Sequence, residues 1–173
     1  MTAPHAPLRL ADVEKLLRAI TGALRRVAII VAPPVLRIAL AVPFFRSGLT
    51  RWDGFLSLSP SAAYLFEEEF KLHIFGQIYD FPAPIVVAHI VGAAEIVLPV
   101  LLIAGFATRF AALALLIMTG VIQLVAPDGW ANFHLPWAAM ALAIIALGPG
   151  LLSLDFLIDR LRRFREMGGR RSH

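Results

Sequence analysis

Residues 84–105 read PIVVAHIVGAAEIVLPVLLIAG, an apolar run interrupted only by His89 and Glu95. A helix needs ~20 such residues to cross a hydrocarbon core of ~30 Å. Three further runs are of comparable length: 27–49 (VAIIVAPPVLRIALAVPFFRSGL), 110–126 (FAALALLIMTGVIQLVA) and 133–152 (FHLPWAAMALAIIALGPGLL). Composition agrees with spanning. The chain is 59% hydrophobic and 16% charged, against ~45–50% and ~25% in soluble domains. That is too little polar material to wet a soluble surface of this size. The expected fold class is all-α: an integral membrane four-helix bundle with an N-terminal amphipathic helix.

The ends of the chain carry the charge. Residues 1–7 form a Pro-rich tail. Over 8–26, Leu10, Val13, Leu17, Ile20 and Leu24 recur at helical spacing, which predicts an amphipathic helix on the membrane surface. Pro33-Pro34 is expected to break this helix or start the span. The chain then divides into a cytoplasmic tail and amphipathic helix (1–26), a four-span domain (27–158) with an external segment (50–83), and a basic cytoplasmic tail (159–173). Within the external segment, AAYLFEEEFKLHIFG suggests a short helix, and QIYDFPAP an extended or turned stretch. The segment is too polar to span and too apolar to be a free loop, so it should pack over one mouth of the bundle.

Bases flank both termini and Arg109 sits in the short turn after the second span. Acids (Asp53, Glu67, Glu68, Glu69, Asp80, Asp128) occupy the opposite side. The positive-inside rule then places both termini in the cytoplasm. Trp52, Trp130 and Trp137 fall near the outer boundary, as an aromatic belt would. The net charge of +4 resides in these flanks. It therefore indicates anionic lipid rather than nucleic acid.

A charge at mid-membrane costs at least ~2.5–3.5 kcal/mol and is normally paired, protonated or turned toward protein. Glu95 shares a face with Ala88, Gly92 and Pro99 at three- and four-residue spacing, where small residues admit a neighbouring helix. Arg37 on the antiparallel first span is its expected partner. Three roles stay open for Glu95: a structural ion pair, a proton-handling or quinol-contacting carboxylate, or a hydrogen bond at a kink. Arg46 and Arg109 are the other intramembrane or boundary arginines. At the outer mouth the topology gathers His73, His89 and His134, together with Glu67 and Glu69. No HxxH or HxxxH spacing links the histidines, and consecutive glutamates on a helix point in different directions. Haem or metal is thus the weaker reading for them, a quinone headgroup contact the stronger, and ordinary interfacial histidine the simplest. The absence of cysteine excludes disulfides, thiol relays and thiolate metal sites. There is no Gly-rich phosphate loop, nucleophile elbow or zinc-protease motif, so no catalytic residue is assigned.

Several stretches resemble the DoxX family of small four-helix membrane proteins. They are VLRIALAVPFFRSGLTRW, AHIVGAAEIVLPVLLIAGFATRFAALALLIMTGVI and LPWAAMALAIIALGPGLLSLDFLI, across residues 34–158. The resemblance equates the family's arginine, glutamate, turn threonine-arginine and terminal aspartate with Arg37, Glu95, Thr108-Arg109 and Asp155. It implies an inner-membrane protein; some relatives are subunits of a thiosulfate–quinone oxidoreductase, and others take part in redox homeostasis or partner other membrane proteins. The stretch from Tyr64 to Asp80 is longer and more acidic than the family's usual linker. The leading expectation is a subunit that supports a quinone-linked redox or metal-handling system, through a protein partner or as a homo-oligomer in the lipid. The alternatives are a stand-alone quinone-linked oxidoreductase of a small reduced substrate, and a transporter of protons or a small solute.

Overall fold

The computed structural model describes residues 10–169. The Pro-rich tail 1–7 and the last bases of the C-terminal tail lie outside them. Six α-helices form: α1 (Leu10–Leu49), α2 (Pro60–Tyr64), α3 (Pro84–Ala104), α4 (Thr108–Val125), α5 (Leu135–Leu147) and α6 (Leu154–Gly169). Short π-type turns lead on from α2 (Leu65–Glu69) and into α5 (Trp130–His134). Among the described residues four helical stretches are long and apolar enough to cross a membrane: Asp12–Leu49, Pro84–Ala104, Thr108–Val125 and Pro127–Leu147. They pack as an antiparallel bundle.

α1 corrects the expected break at Pro33-Pro34. It runs unbroken through Pro33, Pro34 and Pro43. Each proline withholds one backbone donor, while the flanking residues still close their own i→i−4 bonds. At ~1.5 Å per residue α1 is about 60 Å long, twice a hydrocarbon core. The stretch expected as a separate surface helix is therefore the projecting first half of α1. The buried face begins at Pro33 and continues through Arg37, Leu40, Ala41, Phe44 and Gly48, at helical spacing.

The core follows from matching faces. Leu40, Leu102, Leu115 and Ile144 are fully buried, one from each of α1, α3, α4 and α5, and close the centre of the bundle. Large apolar residues such as Ile38, Ile90, Val97 and Ile117 stay exposed, as lipid-facing positions do. On α3 the face Ala88–Gly92–Glu95–Pro99 is buried, as its spacing predicts.

The loop end, opposite the basic end, departs from an all-helical reading. Trp52–Gly54 (β1) pairs with Ser57–Leu58 (β2), and Lys71–Ile74 (β3) with Gln77–Asp80 (β4), each as an antiparallel hairpin. The expected helix over 62–76 stops at Glu69. Phe75 and Gly76 both have positive φ, the geometry of a tight hairpin turn, and the alternating KLHI and QIYD strands pair across it. Lys71 Nζ also meets Asp80 Oδ1 at 2.8 Å. Ser59 caps α2, its Oγ accepting from Ala62 N–H at 3.2 Å.

At the basic end the junction of α3, α4 and α6 rests on Asp155. The residue before α4 is Ala107, in the left-handed region with no side chain able to cap. Asp155, from α6, supplies the cap. It accepts from Ala107 N–H (2.8 Å), Thr108 N–H (2.9 Å) and Thr108 Oγ1 (2.8 Å). Its own N–H donates to Gly105 O at 2.9 Å. Burial pushes its carboxyl up, but these bonds and the nearby Arg37 charge outweigh burial and hold it below the usual carboxylate range. A depressed folded-state pKa stabilises above the unfolded value, near pH 4, and that stability is lost as pH falls through the folded pKa. Asp155→Asn should accordingly melt lower than the wild type at neutral pH, by about 1.5–3 kcal/mol for lost charge-assisted bonds. The gap should close on acidification below about pH 4. Thermal melts in detergent across pH 3–7 check both halves.

Candidate functional site

The register of α1 against α3 decides the site. Gly48 lies against the backbone of Glu95, where a Cβ would come within 2.9 Å of the Glu95 carbonyl carbon and oxygen. Close approach of this kind is what small residues permit in lipid. It brings the end of α1 and the start of the loop segment onto the Glu95 carboxylate. Ser47 Oγ donates to Oε1 at 3.0 Å. Arg51 Nε donates to Oε2 at 3.0 Å, with Nη2 at 3.5 Å from Oε1. The two side chains are only 12% and 3% exposed.

The expected Arg37–Glu95 pair is therefore corrected: Arg51 is the partner. Arg37 lies at the level of Gly105, where a Cβ would collide with its guanidinium and with Ser153. That is about 16 Å of helix rise below Gly48 at ~1.5 Å per residue. Arg37 donates to Leu152 O and ties the α5–α6 linker to α1. Among the described residues its Nε and Nη1 find no acceptor. A depth estimate that starts the span at Pro34 and treats everything after Thr50 as loop misses this arrangement. Arg51 follows α1 almost directly, so it reaches back into the bundle.

Arg51 is held from above as well. Its guanidinium carbon sits 5.3 Å from the Phe66 ring centroid and 5.7 Å from that of Phe70, within cation–π range. The segment 50–83 thus covers one mouth of the bundle, as expected. Beneath it is a cavity of about 250 Å³ whose floor holds Ser47, Arg51 and Glu95. Its walls are apolar and aromatic, including Phe44, Phe66, Phe81, Val91, Met118 and Trp137.

The other sequence candidates scatter. The three histidines do not converge. His73 Nδ1 is 3.1 Å from Leu124 O, His89 Nδ1 is 2.8 Å from Ile85 O, and His134 Nδ1 is 2.6 Å from Gln123 Oε1. Only His134 is buried, in contact with Trp137 at 5.6 Å between ring centroids. Glu67 and Glu69 are exposed. Among the described residues no three or more His, Cys, Asp or Glu side chains gather where a metal could sit. Arg46 is exposed, and Arg109 lies over Gly148 at the basic end. Two of the three expected belt tryptophans turn inward. Trp52 packs on Gly92, and Trp137 packs tilted against Phe44 with 5.1 Å between ring centroids. Sequence reasoning missed Arg51, Ser47, Phe66 and Phe70. The SGLTRW stretch was the available signal, because a helix ending at Leu49 leaves Ser47 and Arg51 one turn apart.

Fold and site together define a class: a four-span helical membrane protein with a buried carboxylate–guanidinium pair beneath an aromatic-lined mouth. The DoxX family model matches residues 32–128, more than half of the chain, and the chain belongs to the DoxX family. It is similar to an uncharacterized protein of Haemophilus influenzae, 32% identical over 142 residues, covering 73% of this chain and 83% of that one. No solved structure matches.

Proposed function

We propose that this DoxX protein is a quinone-binding subunit of a redox system in the bacterial inner membrane, with both termini in the cytoplasm. The Glu95–Arg51 cavity carries the reading. A volume of about 250 Å³ is just under the ~300–1,000 Å³ of drug-sized pockets. It suits one substituted ring, with an isoprenoid tail left to the lipid. The aromatic walls offer ring contacts. The carboxylate floor offers an acceptor for a hydroxyl proton, and Arg51 compensates the charge. In this role Glu95 takes one of the two protons released when a quinol is oxidised to quinone, and the second leaves to water at the mouth. Ser47 and Arg51 hold the carboxylate in place, and the Phe66–Phe70 cover excludes water. The two electrons must leave to another protein, since the chain has no cysteine for a thiol relay. That requirement favours a subunit over a stand-alone oxidoreductase. A transporter is disfavoured by the layer of Leu40, Leu102, Leu115 and Ile144, which fills the bundle between Glu95 and the basic end.

The test uses Trp137, which lines the cavity. A short-chain ubiquinone analogue added to the purified protein should quench tryptophan fluorescence saturably. Val91→Phe, which fills the cavity, should weaken that binding at least about tenfold while the protein still melts cooperatively, since a ring-sized steric block exceeds the ~1–3 kcal/mol of one methylene. Non-saturable quenching, or equal quenching in the filled variant, would sink the reading.

A further inference from the structure

A second concavity lies at the basic end, distant from Glu95. It is a groove of about 1000 Å³ between the projecting half of α1, the start of α4, the α5–α6 linker and α6. Its floor is apolar, with Ile29, Pro33, Phe110, Leu147, Leu151 and Phe156 among its lining residues. Four charged side chains border it: Arg25, Arg109, Asp155 and Asp159. The two carboxylates are engaged. Asp155 caps α4, and Asp159 pairs with Arg163 at 2.8 Å. Neither arginine has a carboxylate within ion-pair distance among the described residues. Arg109 is held across the end of α5, over Gly148. Pro33 packs against Gly150, which fixes the depth of the groove at the end of the spanning region.

We infer that this groove binds one anionic phospholipid, its phosphate between Arg25 and Arg109 and an acyl chain along the apolar floor. Position and charge select this occupant. The groove combines apolar walls with two guanidiniums that no described carboxylate meets at ion-pair distance, at the basic end of the spanning helices, and guanidinium forks match phosphate oxygens. A soluble phosphate would use the arginines and leave the floor bare. A zwitterionic lipid would use both and add a cation beside them. The site does not involve the quinone cavity, so it stands or falls separately.

Native mass spectrometry of the full chain in mild detergent tests this, with phosphatidylglycerol and phosphatidylcholine titrated separately. One phosphatidylglycerol should be retained, at a concentration at least about tenfold lower than phosphatidylcholine requires. Arg25→Gln with Arg109→Gln should weaken it about thirtyfold, as expected for two basic contacts. Arg46→Gln with Arg165→Gln, neither of which lines the groove, should leave it unchanged. Inorganic phosphate at high concentration should not displace it. Ala32→Trp, which fills the groove while leaving both charges, should also lose the lipid. Equal retention of the two lipids, displacement by phosphate, or full retention in the Arg25/Arg109 variant overturns the site. All of the substituted positions except Ala32 are exposed, so those variants should fold, and melting curves verify it.

Discussion

Glu95→Gln should lower the stability of the bundle by about 3–5 kcal/mol, the usual cost of stranding one partner of a buried ion pair. Gln retains the shape and the Ser47 contact but leaves the Arg51 guanidinium without a counter-charge. Phe66 and Phe70 still face that guanidinium, which places the loss toward the lower end. Arg51→Met combined with Glu95→Gln should recover most of it, because neither residue is then a stranded charge. Arg37→Met combined with Glu95→Gln should not, since Arg37 bonds Leu152 O at the other end of the bundle. Thermal melting in detergent separates the two double variants, and equal recovery in both would contradict the pairing. Quinone-analogue binding supplies the functional half. The Arg51/Glu95 double variant should fold and fail to bind. A folded double variant that binds normally would leave the pair a purely structural lock.

The second large effect belongs to Gly48. A Cβ there meets the Glu95 backbone at 2.9 Å, and backbone cannot rotate away as a long side chain can. Gly48→Ala should cost about 1–3 kcal/mol, the range for overpacked interiors. Gly48→Leu should prevent α1 and α3 from docking altogether. Gly120→Leu is the matched control, since nothing lies within 4 Å of a Cβ at that position and the side chain would enter lipid. A graded loss from Gly to Ala to Leu at 48, with none at 120, is the expected melting series. Because Gly48 sets the distance of Ser47 and Arg51 from Glu95, Gly48→Ala should also weaken quinone-analogue binding. A Gly48→Ala protein as stable as the wild type would mean that α1 and α3 do not approach this closely.

Glu95 is legible in the amino-acid sequence because its neighbours at Ala88, Gly92 and Pro99 form a small face, and helical period alone assigns that face to the interior. The partner is not legible. Depth estimates along two antiparallel helices carry an error of a turn or more unless the helix ends are known, and Pro33-Pro34 suggests the wrong start. The same false break divides α1 at residue 26. The hairpin Lys71–Asp80 reads as partly helical because Glu67 to Glu69 favour helix, while the Phe75-Gly76 turn that ends it is a short-range signal. The three histidines share one end of the bundle, yet a shared end is a one-dimensional fact. Each imidazole finds its own backbone or glutamine partner.

By itself the sequence determined the solvent. Four apolar runs with bases at their ends and acids in the loops specify a helical bundle in a bilayer, because unpaired backbone cannot exist in hydrocarbon. It also determined which face of α3 is buried. Tertiary structure alone decided which guanidinium meets Glu95, that Asp155 caps a helix remote in sequence, and that the loop aromatics roof a cavity. These depend on how far one helix slides along another. That distance is set by contacts such as Gly48 on Glu95 and Pro33 on Gly150, which no single helix's periodicity encodes.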